Sequence, residues 1–394
     1  MWVFKRGLLF VMIVGLGWGV SRPSASAQMA AFQWRIEQID QGTKPALALD
    51  GDGNPTIVYM LERVEGWVRA ATWNGSDWQV AAVDQGYFYG PPDIVIDHND
   101  VPHITYHDHQ DTVFDPQKGD LVYAFSQNGR WTINTLVHPG HDGWDSRITV
   151  DADNRVRISA IDPVEFSGKG VEYYAVDQDG KFFVETIGSG PLTYMYATAI
   201  AIGPTGEPAI TYYDQKQSSL RLATRLGSDN WQIETVDDAG ETGLFSSMII
   251  DKNGGTHISY FEKTGVAPGF YTVGNVKYAF RPSGASDWEI TQIDTLDKVV
   301  TGFADARNIT DLALDSLGNP WIAYSDEQSL RLAVFDGAQW RVQTVTTAQT
   351  NRLAQIVSLA LDAKDVPHIA FATVTGKTPL DGFVMQASPV RPGS

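Results

Sequence analysis

The chain reads as an all-β protein, a seven-bladed β-propeller with four strands in each blade. Three observations predict this: a phrase repeated seven times, a composition suited to short strands and tight turns, and an N-terminal strand that supplies a fourth strand the repeats lack. Of 394 residues, 43% are hydrophobic and 19% charged, with 37 glycines and 19 prolines. So apolar a chain can bury a large core, and so much Gly and Pro breaks it into many short elements.

The repeated phrase is an apolar strand, an acidic turn and a second strand that usually ends in an aromatic. The first copy runs Ala46-Leu47-Ala48-Leu49-Asp50, then Gly53-Asn54-Pro55, then Ile57-Val58-Tyr59. Further copies begin at Ile94, Ile148, Ala199, Met248, Leu312 and Leu359. Asp50 to Asp362 spans six steps, a mean period of 52 residues, which is enough for four short strands and their turns. A strand containing Ala and a strand opened by an aromatic follow each core, as in Leu330-Arg331-Leu332-Ala333 with Trp340. The opening aromatics are Trp78, Trp131, Phe182, Trp231, Trp288 and Trp340, six for seven cores. The missing one is Trp34, so the N-terminal strand is expected to complete the unit begun at the C-terminus and close the ring. A pair of β-sandwiches is the alternative, but it gives no reason for the split seventh unit.

Residues 1–27 read as a signal peptide and residues 28–394 as one propeller domain. Lys5 and Arg6 precede an apolar run, Gly7 to Val20, and Ala25-Ser26-Ala27 suits cleavage before Gln28. The run holds 14 residues, short of the ~20 that cross a bilayer. A secreted or periplasmic protein of bacterial type is expected, as a monomer without a membrane span. Losing Lys5, Arg6 and Arg22 takes the formal charge from −18 to −21. That charge excludes nucleic acid as a partner and favours near-neutral or cationic ligands. With no cysteine in the chain, disulfides, thiolate metal sites and cysteine nucleophiles are excluded.

Over residues 32 to 387 the repeats resemble secreted bacterial propeller repeats grouped loosely with the sialidase-type, or Asp-box, repeats. The resemblance implies the fold. The turn here is Asp-x-x-Gly-x-Pro, as in Asp315 to Pro320, and differs from the Asp-box turn Ser-x-Asp-x-Gly-x-x-Trp. No match to the sialidase N-terminal arginine motif occurs, so sialidase activity is not implied.

In such a fold the first strand lines the channel and the fourth lies outside. Turns between first and second strands, and third and fourth, share one face and are short here. The opposite face carries the second-to-third loops and inter-blade links, which vary: 14 residues between Tyr106 and Leu121, 15 between Tyr260 and Val276, five between Tyr324 and Leu330. Variable loops on a rigid frame concentrate binding and catalysis, so the site is expected there, at the channel mouth.

Six of the eight histidines lie between His98 and His141. His103, His257 and His368 belong to the repeat and read as structural. His107, Asp108 and His109 end a second strand on the variable face, and His138, His141 and Asp142 lie on the next link. His107, His109, His138 and His141 could hold a divalent metal ion, act as acid and base, or form a solvated rim. No cofactor is required by any motif. Aromatics recur on the links: Tyr87, Phe88, Tyr89, Trp144, Tyr194, Tyr196, Phe245 and Phe303. They could stack on sugar rings or pack neighbouring blades. Asp50 to Asn54 begins like a calcium loop, but Pro55 and Leu61 stand where that loop needs Gly and Glu. Asp108, Asp145, Asp214, Glu262 and Asp326 are carboxylates on the same face, the last three a repeat feature.

Two functions fit. One is a binding module that recognises a glycan or cell-surface ligand through Tyr87, Tyr89, Trp144, Tyr194, Phe245 and Phe303. The other is a polysaccharide lyase or hydrolase with His107, His109, His141 and Tyr196 as proton-transfer groups and Arg307 or Arg352 as carboxylate partner, similar to propeller lyases with His, Tyr and Arg at the mouth. The absence of phosphate-loop, Gly-x-Ser-x-Gly and His-Glu-x-x-His motifs tips the balance to binding.

Overall fold

The computed structural model describes residues 32–61, 65–109, 119–136, 143–162, 170–176, 181–188, 198–268, 271–299, 308–349, 351–375 and 381–390. These form seven antiparallel four-stranded sheets in a ring, and no helix. In six blades the strands follow chain order. In blade seven, Trp34–Gln41 pairs with Gly382–Pro389 at the outer edge, so the N-terminal strand closes the ring as expected.

The core lies between blades. Among the described residues seven of the eight hydrophobic clusters join residues of neighbouring blades: Val58 and Val68 with Ile104 and Tyr106, Trp321 and Leu332 with Ile369 and Phe371, and so on round to Ala370 and Val384 with Ile57 and Tyr59. A sheet covered on both faces needs apolar residues on both, so the second strands are nearly continuous apolar runs; Pro55–Leu61 is buried throughout. Outer strands such as Trp340–Thr347 alternate, with one face wet.

The repeated Asp is a turn lock. One carboxylate oxygen of Asp50 accepts from the amides of Asp52 (3.0 Å) and Asn54 (2.7 Å), and Asp97, Asp151, Asp251, Asp315 and Asp362 do the same. The turns also clasp each other. Asp100 accepts from the Gly51 amide of the preceding blade, Asn154 from His98 and Asp365 from Ser316. The calcium resemblance of Asp50 to Asn54 is therefore this turn, with its carboxylate already engaged by amides.

Two rings of polar stitches run round the channel. Four residues before the turn Asp, a first-strand side chain accepts from the next blade's amide: Asp93 from Ile148 (2.9 Å), Ser247 from Leu312 (3.2 Å), Asp311 from Leu359 (2.7 Å) and Ser358 from Leu47 (3.0 Å). One position earlier, hydroxyls pair across blades: Thr105 with Ser146, Ser159 with Thr198, Thr211 with Ser246 and Ser259 with Thr310. Each such bond is worth about 1 kcal/mol, and each fixes the register of one blade on the next.

Close approach demands glycine at the blade entries. A Cβ on Gly243, at φ +100°, would sit 2.6 Å from the Leu220 Cα of the preceding blade, and Gly143 meets Leu121 the same way. Gly243→Ala is expected to lower stability by more than ~1 kcal/mol in urea unfolding, whereas Gly265→Ala, with open space and ordinary φ, stays within ~0.5 kcal/mol. Equal effects would contradict the contact.

Candidate functional site

The variable face is braced by a recurrent clamp. The tyrosine ending a second strand donates to an Asp on the preceding blade's outer strand: Tyr59 to Asp40 (2.6 Å), Tyr106 to Asp84 (2.7 Å), Tyr260 to Asp237 (2.7 Å) and Tyr324 to Asp294 (2.7 Å). A third-strand cation joins three of them: Arg69, Lys277 and Arg331. Burial opposes ionisation of Asp237 and Asp294, but the donors around each hold it below the usual carboxylate range. Burial, then the neighbouring carboxylate, pushes the tyrosines up, so each phenol keeps its proton and donates it to an ionised carboxylate.

On this face, between blades five and six, a cleft of about 750 Å3 opens. Tyr271 and Lys298 of blade five line one wall; Glu327 and Arg331 of blade six, with Arg352 at the entry to blade seven, line the other. The segment between Tyr260 and Val276, expected as a long loop, is a hairpin extension: the strands Thr256–Ala267 and Tyr271–Arg281 continue pairing beyond the blade. Its alternating Thr, Val and Tyr residues suit strands, and it carries Tyr271 to the cleft. Across the cleft, Asp326 accepts from the amides of Gln328 and Ser329, both 2.8 Å, and so holds the five-residue turn that presents Glu327. Glu327 accepts from Arg352 (2.8 Å), and its hydrogen bond with Tyr271 holds that phenol above its ordinary range.

Of the expected site residues, Arg352 lines this cleft. His107, His109 and Trp144 do come together: His107 lies 4.5 Å from Trp144 ring to ring and 5.8 Å from His109. They are not a rim, however. His107 is 1% exposed, His109 4% and Trp144 5%, because the blade-three entry strand packs over the end of blade two. Phe245 is 1% exposed inside the cluster joining blades five and six, so it packs blades and offers no open face. Tyr87 is half-buried, and its carbonyl accepts from the His109 amide at 2.7 Å. His138, His141, Tyr194, Tyr196, Phe303 and Arg307, and the Tyr89 side chain, lie outside the described residues, as does the leader. Among the described residues no group of three or more His, Asp or Glu is placed to hold a metal. Asp214 and Asp326 cap turns, and Glu262 accepts from Asn275 and pairs with Lys277, so these three carboxylates are engaged within the fold.

The channel offers little room. Arg147 crosses it from blade three to the Asn308 side-chain oxygen, with Asp93 at 3.5 Å, in a space of about 200 Å3. Burial raises the Asp93 and Asp311 carboxyls despite Arg147. Sequence reading did not find Arg147, Asp93, Tyr271, Lys298 or Glu327. Arg147, Asp93 and Asp311 were legible as charges at a first-strand position that elsewhere holds Ala or Ser.

No family model matches the chain, and no curated protein matches it. Solved structures do. An ulvan lyase, a polysaccharide lyase bound to -[GlcA(1-4)Rha3S]-, aligns with TM-score 0.58 at 12% identity over 89% of this chain and 95% of its own. The SapL1 lectin in complex with alpha methyl fucoside aligns at 0.51 and 11%, over 78% and 97%. AofleA from Arthrobotrys oligospora aligns at 0.51 and 14%, over 80% and 90%. At these identities the likeness is one of fold, shared by a lyase and a lectin alike.

The repeat histidines are structural. His103 Nδ1 meets the Tyr123 hydroxyl at 2.8 Å and His257 Nδ1 that of Tyr278 at 2.6 Å; burial depresses both imidazoles below the ordinary 6.5. A depressed histidine gives stability present above 6.5 and lost as pH falls through the folded value. Stability is therefore expected to decline between pH 7.5 and 5, and a His103→Gln/His257→Gln variant to show a flatter decline in urea titrations. An unchanged slope would refute this assignment.

Proposed function

We propose that this chain is a secreted or periplasmic propeller, released by cleavage before Gln28, that binds a glycan in the cleft between blades five and six. The observation that carries the reading is the cleft itself. It is open, polar and on the face where loops vary, and it sets donors of Lys298 and Arg352 beside acceptors of Glu327, which suits a hydroxyl-rich ligand. The charges across it largely pair, and the whole chain is acidic, so neutral or lightly charged glycans fit better than polyanions.

The lyase reading draws on the same residues, since a tyrosine, a lysine and arginines are what proton abstraction beside a carboxylate requires. The Tyr271 hydroxyl argues against it: its bond to Glu327 moves the phenol away from the ionised state a base needs. This favours binding over turnover.

The test incubates the chain from Gln28 with neutral and acidic polysaccharides, reading binding by calorimetry and chain length by mass spectrometry. Binding to intact polymer is expected, weakened about tenfold or more in Lys298→Ala/Arg352→Ala, the loss of two charge-assisted hydrogen bonds. Shortened products would establish an enzyme, and no binding across the panel would end the glycan reading.

A further inference from the structure

On the opposite face, two successive inter-blade grooves share one construction. Between blades three and four, Glu185 of an outer strand receives Arg225 in a bidentate pair (2.9 and 2.6 Å) and the Trp231 indole N–H (2.8 Å), with the guanidinium 5.7 Å from the Tyr173 ring. Between blades four and five, Glu234 receives Arg281 (2.7 Å), whose guanidinium lies 4.3 Å from the Trp288 ring. Each groove thus holds an internal organic cation, set between a carboxylate and an aromatic ring.

Between blades five and six both partners are replaced. Strand pairing puts Thr291 opposite Tyr278 where Glu185 stands opposite Tyr173, and Phe335 opposite Trp340 where Arg225 stands opposite Trp231. The aromatic walls remain: Tyr278 and Trp340 are 5.1 Å apart, Phe335 and Trp340 5.6 Å. Where the ion pair would sit there is a cavity of about 280 Å3, lined by Tyr278, Phe280, Phe335 and Trp340. No Lys or Arg lines it; His257, its Nδ1 engaged by the Tyr278 hydroxyl and its imidazole depressed by burial, and the Glu289 carboxylate do, the latter near enough to help raise the Tyr278 phenol.

We infer that this cavity is a binding site for an organic cation, an alkylguanidinium or alkylammonium head group, which takes the place the two preceding grooves give to their own arginine. Aromatic faces attract such a cation, Glu289 supplies its counter-charge, and the acidic protein raises its local concentration. The site lies on the face away from the glycan cleft and does not depend on that reading.

The probes are tetramethylammonium and butylguanidinium, each against a neutral isostere, neopentane-type and butylurea respectively, followed by tryptophan emission and calorimetry. Saturable binding is expected, with each cation favoured over its isostere by about fivefold or more. Which cation binds tighter identifies the head group. Thr291→Glu/Phe335→Arg, which rebuilds the internal pair, is expected to abolish binding while unfolding and polysaccharide binding stay as in the parent; Glu289→Gln is expected to weaken it severalfold. Equal binding of cations and isosteres, no saturable binding, or undiminished binding in the rebuilt pair would overturn the site.

Discussion

No blade in this protein can bury its own sheet. Each four-stranded sheet is apolar on both faces, and nearly every hydrophobic cluster is shared between neighbouring blades, so the ring is the smallest unit that hides the core. Everything else follows from that constraint. Strands must be short, turns must be tight, and the last blade must borrow its outer strand from the other end of the chain.

Apolar contact alone leaves blades free to slide, because it has no direction. The polar stitches remove that freedom at three levels. The turn carboxylates and their clasps lock one rim, the hydroxyl and amide pairs lock the channel wall, and the Tyr–Asp clamps lock the variable rim. This accounts for most of the acidic residues that the repeat carries inside the fold. Their carboxylates are consumed by amides, phenols and guanidinium groups, so an abundance of Asp near a propeller mouth is weak evidence for catalysis.

Binding capacity arises where the repeat departs from itself. The cleft between blades five and six exists because one hairpin is extended and the facing turn is short. The cavity beneath it exists because Thr291 and Phe335 stand where the two preceding grooves hold an ion pair. One inter-blade seam thus carries a polar opening on one face and an aromatic one on the other, separated by the cluster that contains Phe245.

The ring, its seven units, its split closing blade and the structural part of His103 and His257 were legible in the residues alone. All depend on local spacing and alternation, which repeat along the chain. The site was not. His107, His109 and Trp144 are neighbours as their placement suggested, yet they are buried, because exposure depends on how an entry strand packs over the preceding blade. Tyr271, Lys298, Glu327 and Arg352 stand on three blades, 81 positions apart from first to last, and no spacing rule links them. Sequence periodicity determines what each blade is; which side chains meet across a seam is decided only when the ring brings two blades together.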